Sequence, residues 1–412
     1  MTAAAIAAPL FSRRAVAQGA AKVVVVGGGF AGATCARFLH RLDPRIDVTL
    51  VEPNTTFTAC PFSNAVVAGL RDIGDQRFGY RAVRAEGVGV VHAAAAAVDP
   101  EARRVRLADG TALAYDRLIV APGIDFRWNG IPGYGEAAAE RMPHAWKAGD
   151  QTLLLRRRLE SMADGGLVVI AVPANPYRCP PGPYERASLI AHFLKTQKPR
   201  SKVLVLDAKD SFSKQPLFVA AWKQLYSGLL EWVPLSQGGK VTAVDPSAGT
   251  VSTDFEVYKP AVANIIPPQQ AGRFAELAGV ADRTGWCPID PVTFESRLQP
   301  RIHVVGDAAI AGAMPKSAFA ANAQAKVCAA AVATLLRGAA PTEPVLVNTC
   351  YSLVAPDYGI SIAGVYRPKR GQLADVEGAG GVSPLQASPE TRMLEARYAG
   401  AWFRTITDEV FG

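Results

Sequence analysis

Residues 22–52 constrain the fold of this chain more than any other segment. They read KVVVVGGGFAGATCARFLHRLDPRIDVTLVE, which gives a buried valine strand, a G-x-G-x-x-G turn, a helical pattern from Phe30 and a second strand over residues 48–51. Glu52 closes that second strand, twenty residues after Gly32. A glycine turn that follows a strand, opens a helix and ends in an acid at this spacing is typical of dinucleotide binding.

Each part of this segment has a physical role in holding a nucleotide. Gly27 lets the chain turn out of the strand, Gly29 lets a pyrophosphate approach the backbone, and Gly32 lets the helix pack on the sheet. The free N–H groups at the helix start favour the phosphates, and Glu52 suits a ribose hydroxyl. The predicted cofactor-binding residues here are Gly27, Gly29, Phe30, Ala31, Gly32, Glu52 and Pro53.

Length and composition limit the classes of protein to consider. A chain of 412 residues predicts two or three domains, and 49% apolar with 19% charged residues fits a globular protein. No apolar run reaches about 18 residues, so we expect no transmembrane helix. The net charge of +8 suits an anionic substrate or an acidic partner, or simply solubility, and the absence of interleaved lysines and aromatics argues against nucleic-acid binding.

The first twenty residues are predicted to form a leader or a flexible tail. Ala15-Val16-Ala17 resembles a cleavage site, and Ser12-Arg13-Arg14 resembles the core of a twin-arginine signal. The apolar run precedes the arginines instead of following them, so the fit to an export signal is poor.

Two later segments carry the same kind of signal as the first glycine turn. A buried strand at 118–120 ends in Ala121-Pro122-Gly123, so Ala121 and Gly123 are predicted to contact the cofactor. A second strand ends in Gly306-Asp307, and the Asp307 carboxylate can accept a hydrogen bond from a ribityl hydroxyl. Lys316 and Ser317 precede a long helix over 318–336, whose positive end would face a flavin, although Lys316 could instead be a solvated cap residue.

A second nucleotide-type unit follows, with strands at 166–172 and 202–207 and a helix predicted over 188–196. Residues 173–186 join the first strand to this helix, and they contain five prolines and one glycine. Proline has no backbone N–H to offer a pyrophosphate. We therefore expect an NAD-like domain that does not bind NAD(P)H.

The six cysteines include no C-x-x-C pair, so neither a zinc ribbon nor a thioredoxin-type pair is indicated, and no metal site is predicted. Cys60, between Ala59 and Pro61, could be tethered to a flavin or could be a buried inert thiol. Cys35, Cys287 and Cys328 are expected to be structural.

These patterns predict an α/β fold with two dinucleotide-binding, Rossmann-like domains of the disulfide-oxidoreductase (glutathione-reductase) type and a small α+β cap. The FAD-binding domain is expected to be discontinuous, over 21–132 and 264–340. The NAD-like domain is expected over 133–263, and the cap or interface domain over 341–412. An amphipathic end of the cap, with Leu394, Tyr398, Trp402, Phe403 and Ile406, could alternatively touch a membrane.

From residue 22 onward the chain resembles the flavoprotein subunit of flavocytochrome c sulfide dehydrogenase. The resemblance is most specific in TACPFSN (58–64), RCPPGPYERASLIAHFLK (178–195), VGDA (305–308), MPKSAFAANAQAKVCAAA (314–331), NTCYSL (348–353) and the AWF segment (401–403). It implies FAD joined to Cys60 and contacted near Asn64, and a redox-active disulfide between Cys179 and Cys350. Glu185 and Trp402 would lie near that disulfide and the flavin ring.

By the same resemblance, the protein would be periplasmic and would form a heterodimer with a c-type cytochrome subunit. The chain has no C-x-x-C-H, so haem is expected only on the partner. Sulfide would attack the disulfide and leave a persulfide and a thiolate. By analogy with related sulfide oxidases, Cys350 is favoured as the flavin-proximal sulfur and Cys179 as the persulfide carrier.

Several alternatives stay open at this point. Cys179 and Cys350 could form a purely structural disulfide, and Arg178, Arg186 and Glu185 could be surface charges or could guide sulfide and protons. The protein could instead be a sulfide:quinone oxidoreductase, an NADH-dependent reductase, or an accessory flavoprotein of thiosulfate or sulfur oxidation.

Overall fold

The computed structural model describes residues 19–412, so nearly all of the predicted leader at residues 1–20 lies outside the described residues. The α-helices in this part of the chain are α1 (Phe30–Leu42), α2 (Ser63–Val67), α3 (Arg81–Ala85), α4 (Asp150–Ser161), α5 (Gly182–Gln197), α6 (Gln215–Leu225), α7 (Phe274–Leu277), α8 (Ala318–Leu336) and α9 (Pro389–Phe411). The strands are β1 (Lys22–Val26), β2 (Asp47–Val51), β3 (Thr56–Thr58), β4 (Arg77–Gly79), β5 (Gly89–Val91), β6 (Ala95–Asp99), β7 (Arg104–Leu107), β8 (Ala112–Ala114), β9 (Arg117–Val120), β10 (Ile124–Phe126), β11 (Leu167–Val172), β12 (Lys202–Asp207), β13 (Leu230–Val233), β14 (Ala243–Asp245), β15 (Thr250–Ser252), β16 (Val257–Tyr258), β17 (Val262–Ile265), β18 (Gln269–Ala271), β19 (Cys287–Pro288), β20 (Ile302–Val304), β21 (Ala309–Ile310), β22 (Leu346–Ala355), β23 (Tyr358–Lys369), β24 (Gln372–Asp375) and β25 (Gly381–Val382).

The first sheet is five-stranded and parallel, in the order β20-β9-β1-β2-β5. The valines of β1 are buried, as expected for a central parallel strand covered on both faces. Because β20, β9 and β1 run in the same direction, their carboxyl ends share one edge of the sheet. The three segments with predicted cofactor signals therefore meet at that edge, and the fold is the predicted Rossmann-like arrangement.

The second sheet is also parallel, in the order β13-β12-β11-β17. The helix after β11 differs from the prediction, because α5 begins at Gly182 and not at residue 188. Pro183 lies in the first turn of α5, where a helix tolerates proline because the N–H has no intrahelical partner. As a result, Glu185 and Arg186 lie in the first turns of a helix and not in a loop.

The C-terminal region contains the strand-rich cap that the sequence predicts. Strands β22, β23 and β24 form an antiparallel sheet in which Cys350 lies opposite Ile362, and α9 packs against β23. The end of α9 returns to the first domain, where the Phe411 ring stacks on those of Phe57 and Phe78 with centroids 5.3 Å apart in each pair.

The predicted amphipathic end of the cap does not present one continuous apolar surface. Phe403 and Ile406 are only 1% and 4% exposed, whereas Leu394 and Tyr398 are 42% and 53% exposed. Half-buried Trp402 faces the inside of the molecule, as described below. The predicted membrane-facing set is therefore divided between core and surface, because α9 uses part of its apolar side for packing.

Helix α8 is apolar and long enough to cross a membrane by length and composition alone. Within the fold, α8 packs along α1, and Cys328, Ala329 and Val332 are fully buried. A helix that is buried on most sides is apolar for the same reason as a core strand. Its composition is thus explained by its position between other elements.

Candidate active site

One cavity, which we call the central cavity, is bounded by elements from all three parts of the chain. Fourteen of the residues predicted for the site line it: Gly29, Phe30, Ala31, Cys60, Asn64, Ala121, Gly123, Cys179, Glu185, Gly306, Asp307, Ser317, Cys350 and Trp402. The other five predicted residues lie outside its lining: Gly27, Gly32, Glu52, Pro53 and Lys316.

Gly27 and Gly32 support the glycine turn instead of lining the cavity. Gly27 has φ +104°, and a Cβ there would lie 2.2 Å from the carbonyl oxygen of Ala121. A Cβ at Gly32 would lie 1.8 Å from the carbonyl oxygen of Gly27. Neither position can hold a side chain, because a backbone atom already occupies the space.

Glu52 braces the same turn from the end of the second strand. Its Oε2 accepts a hydrogen bond from the Gly28 amide at 2.8 Å, and its Oε1 accepts one from the Asn54 amide at 3.0 Å. Pro53, beside it, is exposed. The acid thus lies at the outer end of the glycine turn, where the ribose of a dinucleotide is expected.

Asp307 provides a direct test of whether the cavity suits FAD. Its Oδ1 is buried and has no hydrogen-bond partner among residues 19–412, and burial raises the pKa of this carboxyl. A buried polar atom without a partner calls for an explanation, and a ligand hydroxyl donating to Oδ1 would supply one. Together with the glycine turn, this acceptor fits a flavin dinucleotide with its ribityl chain at Asp307.

The N-terminus of α8 also faces the central cavity, but the side chain of Lys316 does not. Ser317 caps the helix by accepting a hydrogen bond from the Ala320 amide at 3.0 Å, and Ala318 and Phe319 line the cavity. The Lys316 ammonium donates to the carbonyls of Asp307 (2.7 Å) and Ala309 (2.8 Å) and lies over the Trp286 ring. Lys316, predicted near the cofactor, therefore turns its ammonium to backbone carbonyls, and because it is half-buried it is not a solvated cap residue.

Cys60 and Asn64 enter the cavity from the segment between β3 and α2. Cys60 is half-buried in the lining, and its sulfur lies 3.9 Å from the carbonyl oxygen of Trp146. Asn64 donates from Nδ2 to Glu185 (2.8 Å) and accepts at Oδ1 from Arg186 (2.9 Å). Asn64 therefore joins α2 to α5, in addition to lining the cavity.

Cys179 and Cys350 come from distant parts of the sequence and line the same cavity. All six cysteines are present as free thiols. Cys179 has a left-handed backbone (φ +58°), and its amide donates to the Lys316 carbonyl at 2.8 Å. Such a conformation is uncommon for a residue with a side chain and marks a position fixed by its surroundings. Burial, and next the neighbouring Cys350, raises the pKa of the Cys179 thiol.

Glu185 lies beside the two cysteines at the start of α5. Its carboxylate accepts hydrogen bonds from the Leu353 amide and from Asn64 Nδ2, both at 2.8 Å. Burial raises the pKa of Glu185, so the carboxyl holds a proton more readily than an exposed glutamate does. The Glu185 side chain is thus an internal group that can exchange protons with the cavity.

Several residues around the site have roles that the sequence alone left open or missed. Arg186 is 1% exposed, so it is not a surface charge, and its guanidinium lies over the Trp146 ring. Arg178 lines the cavity and donates to the Trp146 carbonyl. Trp146 and Lys214 carried no recognisable motif, because their importance comes from contacts made only in the folded chain.

The position where a nucleotide ribose would contact the second sheet is occupied by the protein's own side chains. Asp207, at the end of β12, is fully buried and accepts hydrogen bonds from Tyr184 (2.6 Å), Trp232 (3.0 Å) and Lys209 (2.5 Å). The rings of Tyr184 and Phe212 stack with centroids 3.6 Å apart. The Asp207 carboxylate therefore already has hydrogen-bond donors from within the protein. This disfavours nucleotide binding at this end of the second sheet.

Comparison with known families agrees with this geometry. Residues 152–267 match the family described as the central part of the sulfide dehydrogenase [flavocytochrome c] flavoprotein chain. Residues 342–411 match the flavin-binding part of flavocytochrome c sulphide dehydrogenase. The chain belongs to this family. It is therefore a flavoprotein of the oxidoreductase class with FAD as its cofactor, and residues 21–163 match the broader pyridine nucleotide-disulphide oxidoreductase family.

Individual proteins resemble this chain over different shares of its length. The sulfide dehydrogenase flavoprotein chain of Chlorobaculum thiosulfatiphilum is 67% identical over 48 residues, which are 12% of this chain and all of that sequence. Mouse mitochondrial sulfide:quinone oxidoreductase is 23% identical over 308 residues, 69% of this chain and 65% of its own length. The solved structure of sulfide:quinone oxidoreductase from Aquifex aeolicus shares the fold, with a TM-score of 0.74, 17% identity and coverage of 95% of this chain and 92% of that one.

Proposed function

We propose that this protein oxidises hydrosulfide at a disulfide between Cys179 and Cys350 and passes the electrons through FAD to a c-type cytochrome subunit. The observation that supports this most directly is that both cysteines line the cavity that also contains Gly29 and Asp307. A sulfur pair beside a flavin site provides an electron entry point next to the electron acceptor. The family to which the chain belongs carries this activity in its name.

The cysteine pair accounts for the chemistry of the first step. With the two sulfurs joined, hydrosulfide attacks one of them and forms a new S–S bond, and the bond between the cysteines breaks. One cysteine then carries a persulfide and the other a thiolate, so the substrate's electron pair has entered the protein. FAD, when bound, accepts two electrons and can release them one at a time.

The remaining residues of the cavity control charge and protons during this step. Arg178 provides a cation near Cys179 that can attract the hydrosulfide anion. Glu185, whose pKa is raised by burial, can take the proton from the new persulfide. Trp402 and Trp146 line the cavity with flat apolar surface that limits water around the sulfurs.

Three further features belong to the same proposal. FAD is covalently attached through Cys60, haem is carried only by a cytochrome partner in a heterodimer, and the protein works in the periplasm. Cys60 lines the same cavity as Gly29 and Asp307, which supports the first of these. The internal contacts of Asp207 support the absence of NAD(P)H as a reductant.

The proposal is tested by anaerobic titration of the purified holoprotein with sulfide while flavin absorbance is recorded. Wild type is expected to bleach, whereas Cys179→Ser and Cys350→Ser should lose at least about 100-fold in the rate of bleaching. Cys287→Ala is the matched control, because Cys287 is a buried thiol that does not line the cavity.

A wild-type protein that stays oxidised would contradict the proposal and favour an accessory role in thiosulfate or sulfur oxidation. Reoxidation assays separate the remaining alternative. Faster reoxidation of the reduced flavin by a soluble quinone than by cytochrome c would indicate a sulfide:quinone oxidoreductase.

A further inference from the structure

Lys214 is a buried cation that reaches the strand carrying Cys350. It is 6% exposed and lies just before α6, with a left-handed backbone (φ +62°). Its ammonium donates to the carbonyl oxygen of Cys350 at 3.0 Å and to Ser352 Oγ at 2.8 Å. Both of these acceptors are neutral, so within residues 19–412 this ammonium makes no ion pair with a carboxylate.

Burying an ammonium without a direct counter-ion costs free energy of folding, and a negative charge that forms nearby offsets this cost. Burial lowers the pKa of Lys214, and the neighbouring Cys350, followed by Glu185 and Cys179, opposes that shift. The anions close to Lys214 are therefore those of the reaction centre. Glu395, on α9, also opposes the shift, but it pairs with Arg392 at 3.1 Å.

The other charged groups around Cys350 do not replace Lys214. Glu185 is an acid, and Asp375 and Glu377, which share a second pocket with Cys350, are acids on the exposed surface. Exposed charges are screened by solvent and salt, whereas a buried charge is screened much less. Arg178 and Arg186 also line the central cavity, but their side chains donate to other elements and not to the strand that carries Cys350. Lys214 does donate to that strand and is accordingly the cation best placed to balance a negative charge on the Cys350 sulfur.

We propose that Lys214 is a positioning residue that fixes the Cys350 strand and holds the negative charge of the reduced cysteine pair on the Cys350 sulfur. The inference rests on the proposed function, because it assumes that the pair opens and closes during turnover. It assigns the two sulfurs different roles. The thiolate of the opened pair is then at Cys350 and Cys179 carries the transferred sulfur atom, which are the roles that the family resemblance already implies.

The test measures thiol reactivity directly and needs no sulfide. The reduced holoprotein is alkylated with iodoacetamide over a range of pH values, and labelling of Cys350 and Cys179 is followed by peptide mass spectrometry. Lys214→Met should move the pH midpoint for labelling Cys350 upward by about one unit or more, which lowers the thiolate fraction at neutral pH about tenfold. Labelling of Cys350 should then lose its advantage over that of Cys179.

Two further variants separate a charge effect from a loss of structure. Wherever Glu185 is ionised, Glu185→Gln removes a nearby negative charge, so it should move the Cys350 midpoint downward, in the direction opposite to Lys214→Met. Ser352→Ala removes one hydrogen bond of Lys214 and keeps the charge, so it should leave the midpoint within about 0.3 units.

Equal midpoints in Lys214→Met and wild type would overturn the inference. Shifts in the same direction for Lys214→Met and Glu185→Gln would also overturn it, because they would indicate general disruption. If wild type is not bleached by sulfide but the labelling profiles behave as stated, the proposed function fails and the charge role of Lys214 stands.

Discussion

Arg186 offers the sharpest test of how the cavity is held together. Its guanidinium donates four hydrogen bonds, to Asn64 Oδ1 (2.9 Å), Asn264 Oδ1 (3.0 Å) and the carbonyls of His144 (2.9 Å) and Ala145 (2.5 Å). These acceptors belong to α2, to β17 and to the segment before α4. A single side chain on α5 therefore joins three separate elements behind the cavity.

Replacing Arg186 with methionine removes these donors but keeps much of the volume. The His144 carbonyl still accepts a hydrogen bond from Asn264 Nδ2 at 2.9 Å. The other three acceptors lose their hydrogen bond from Arg186. Each buried acceptor left unpaired costs about 1–3 kcal/mol, or about 3–9 kcal/mol for three. Methionine is uncharged, so the variant avoids the desolvation cost of a buried guanidinium. This offsets several kcal/mol of the loss. We expect a net loss of about 3 kcal/mol in the free energy of unfolding.

The measurement is urea unfolding of Arg186→Met followed by tryptophan fluorescence, together with the ratio of bound FAD to protein. The control is Arg157→Met, since Arg157 is exposed on α4. The FAD ratio should fall in Arg186→Met and stay unchanged in the control. A free energy of unfolding within about 0.5 kcal/mol of the control would refute the argument that these hydrogen bonds hold the cavity.

Three other predictions address the cofactor and the buried histidines. Gly32→Ala should abolish FAD binding because its Cβ would meet a backbone oxygen, whereas Gly381→Ala, with open space, should bind FAD normally in absorbance assays. Cys60→Ala should release its flavin on acid precipitation, whereas wild type should keep it; release from both would disprove the covalent link. Burial lowers the pKa of His144 to about 3 and that of His303 to about 4, so both are neutral in the folded protein, while the unfolded chain takes up protons below about pH 6.5. The free energy of unfolding should therefore fall by about 3 kcal/mol between pH 6.5 and 5, and a pH-independent urea midpoint would contradict this.

Local sequence signals were sufficient for the first domain. The valine strand, the glycine turn and Glu52 are specified within about thirty residues, because their requirements are those of the backbone itself. The expected strand and helix bounds there agree closely with β1, α1 and β2. The predicted helix start at residue 188 was wrong, because α5 begins at Gly182 and Pro183 suits the first turn of a helix.

Charged side chains near the site were harder to interpret from the sequence. Arg186 and Lys214 are buried, and Lys316 turns its ammonium to backbone carbonyls. A lysine or arginine in a sequence is most often exposed, so nothing local marks the few that are enclosed. Their roles depend on acceptors from other elements, such as Asn264 for Arg186 and Ser352 for Lys214.

The sequence by itself therefore determined the nucleotide-binding architecture and the FAD signals, and it singled out Cys60, Cys179 and Cys350 as predicted site residues. These are properties of short segments whose backbone conformation or family resemblance can be recognised without knowing the rest of the chain. Only the tertiary structure decided that Cys179 and Cys350 share one cavity, that Glu185 lies beside them, and that Lys214 reaches the Cys350 strand. The charge state and reactivity of these side chains depend on their burial and on their distance from other charged groups. Burial and distance are set by the packing of segments that are far apart in the sequence.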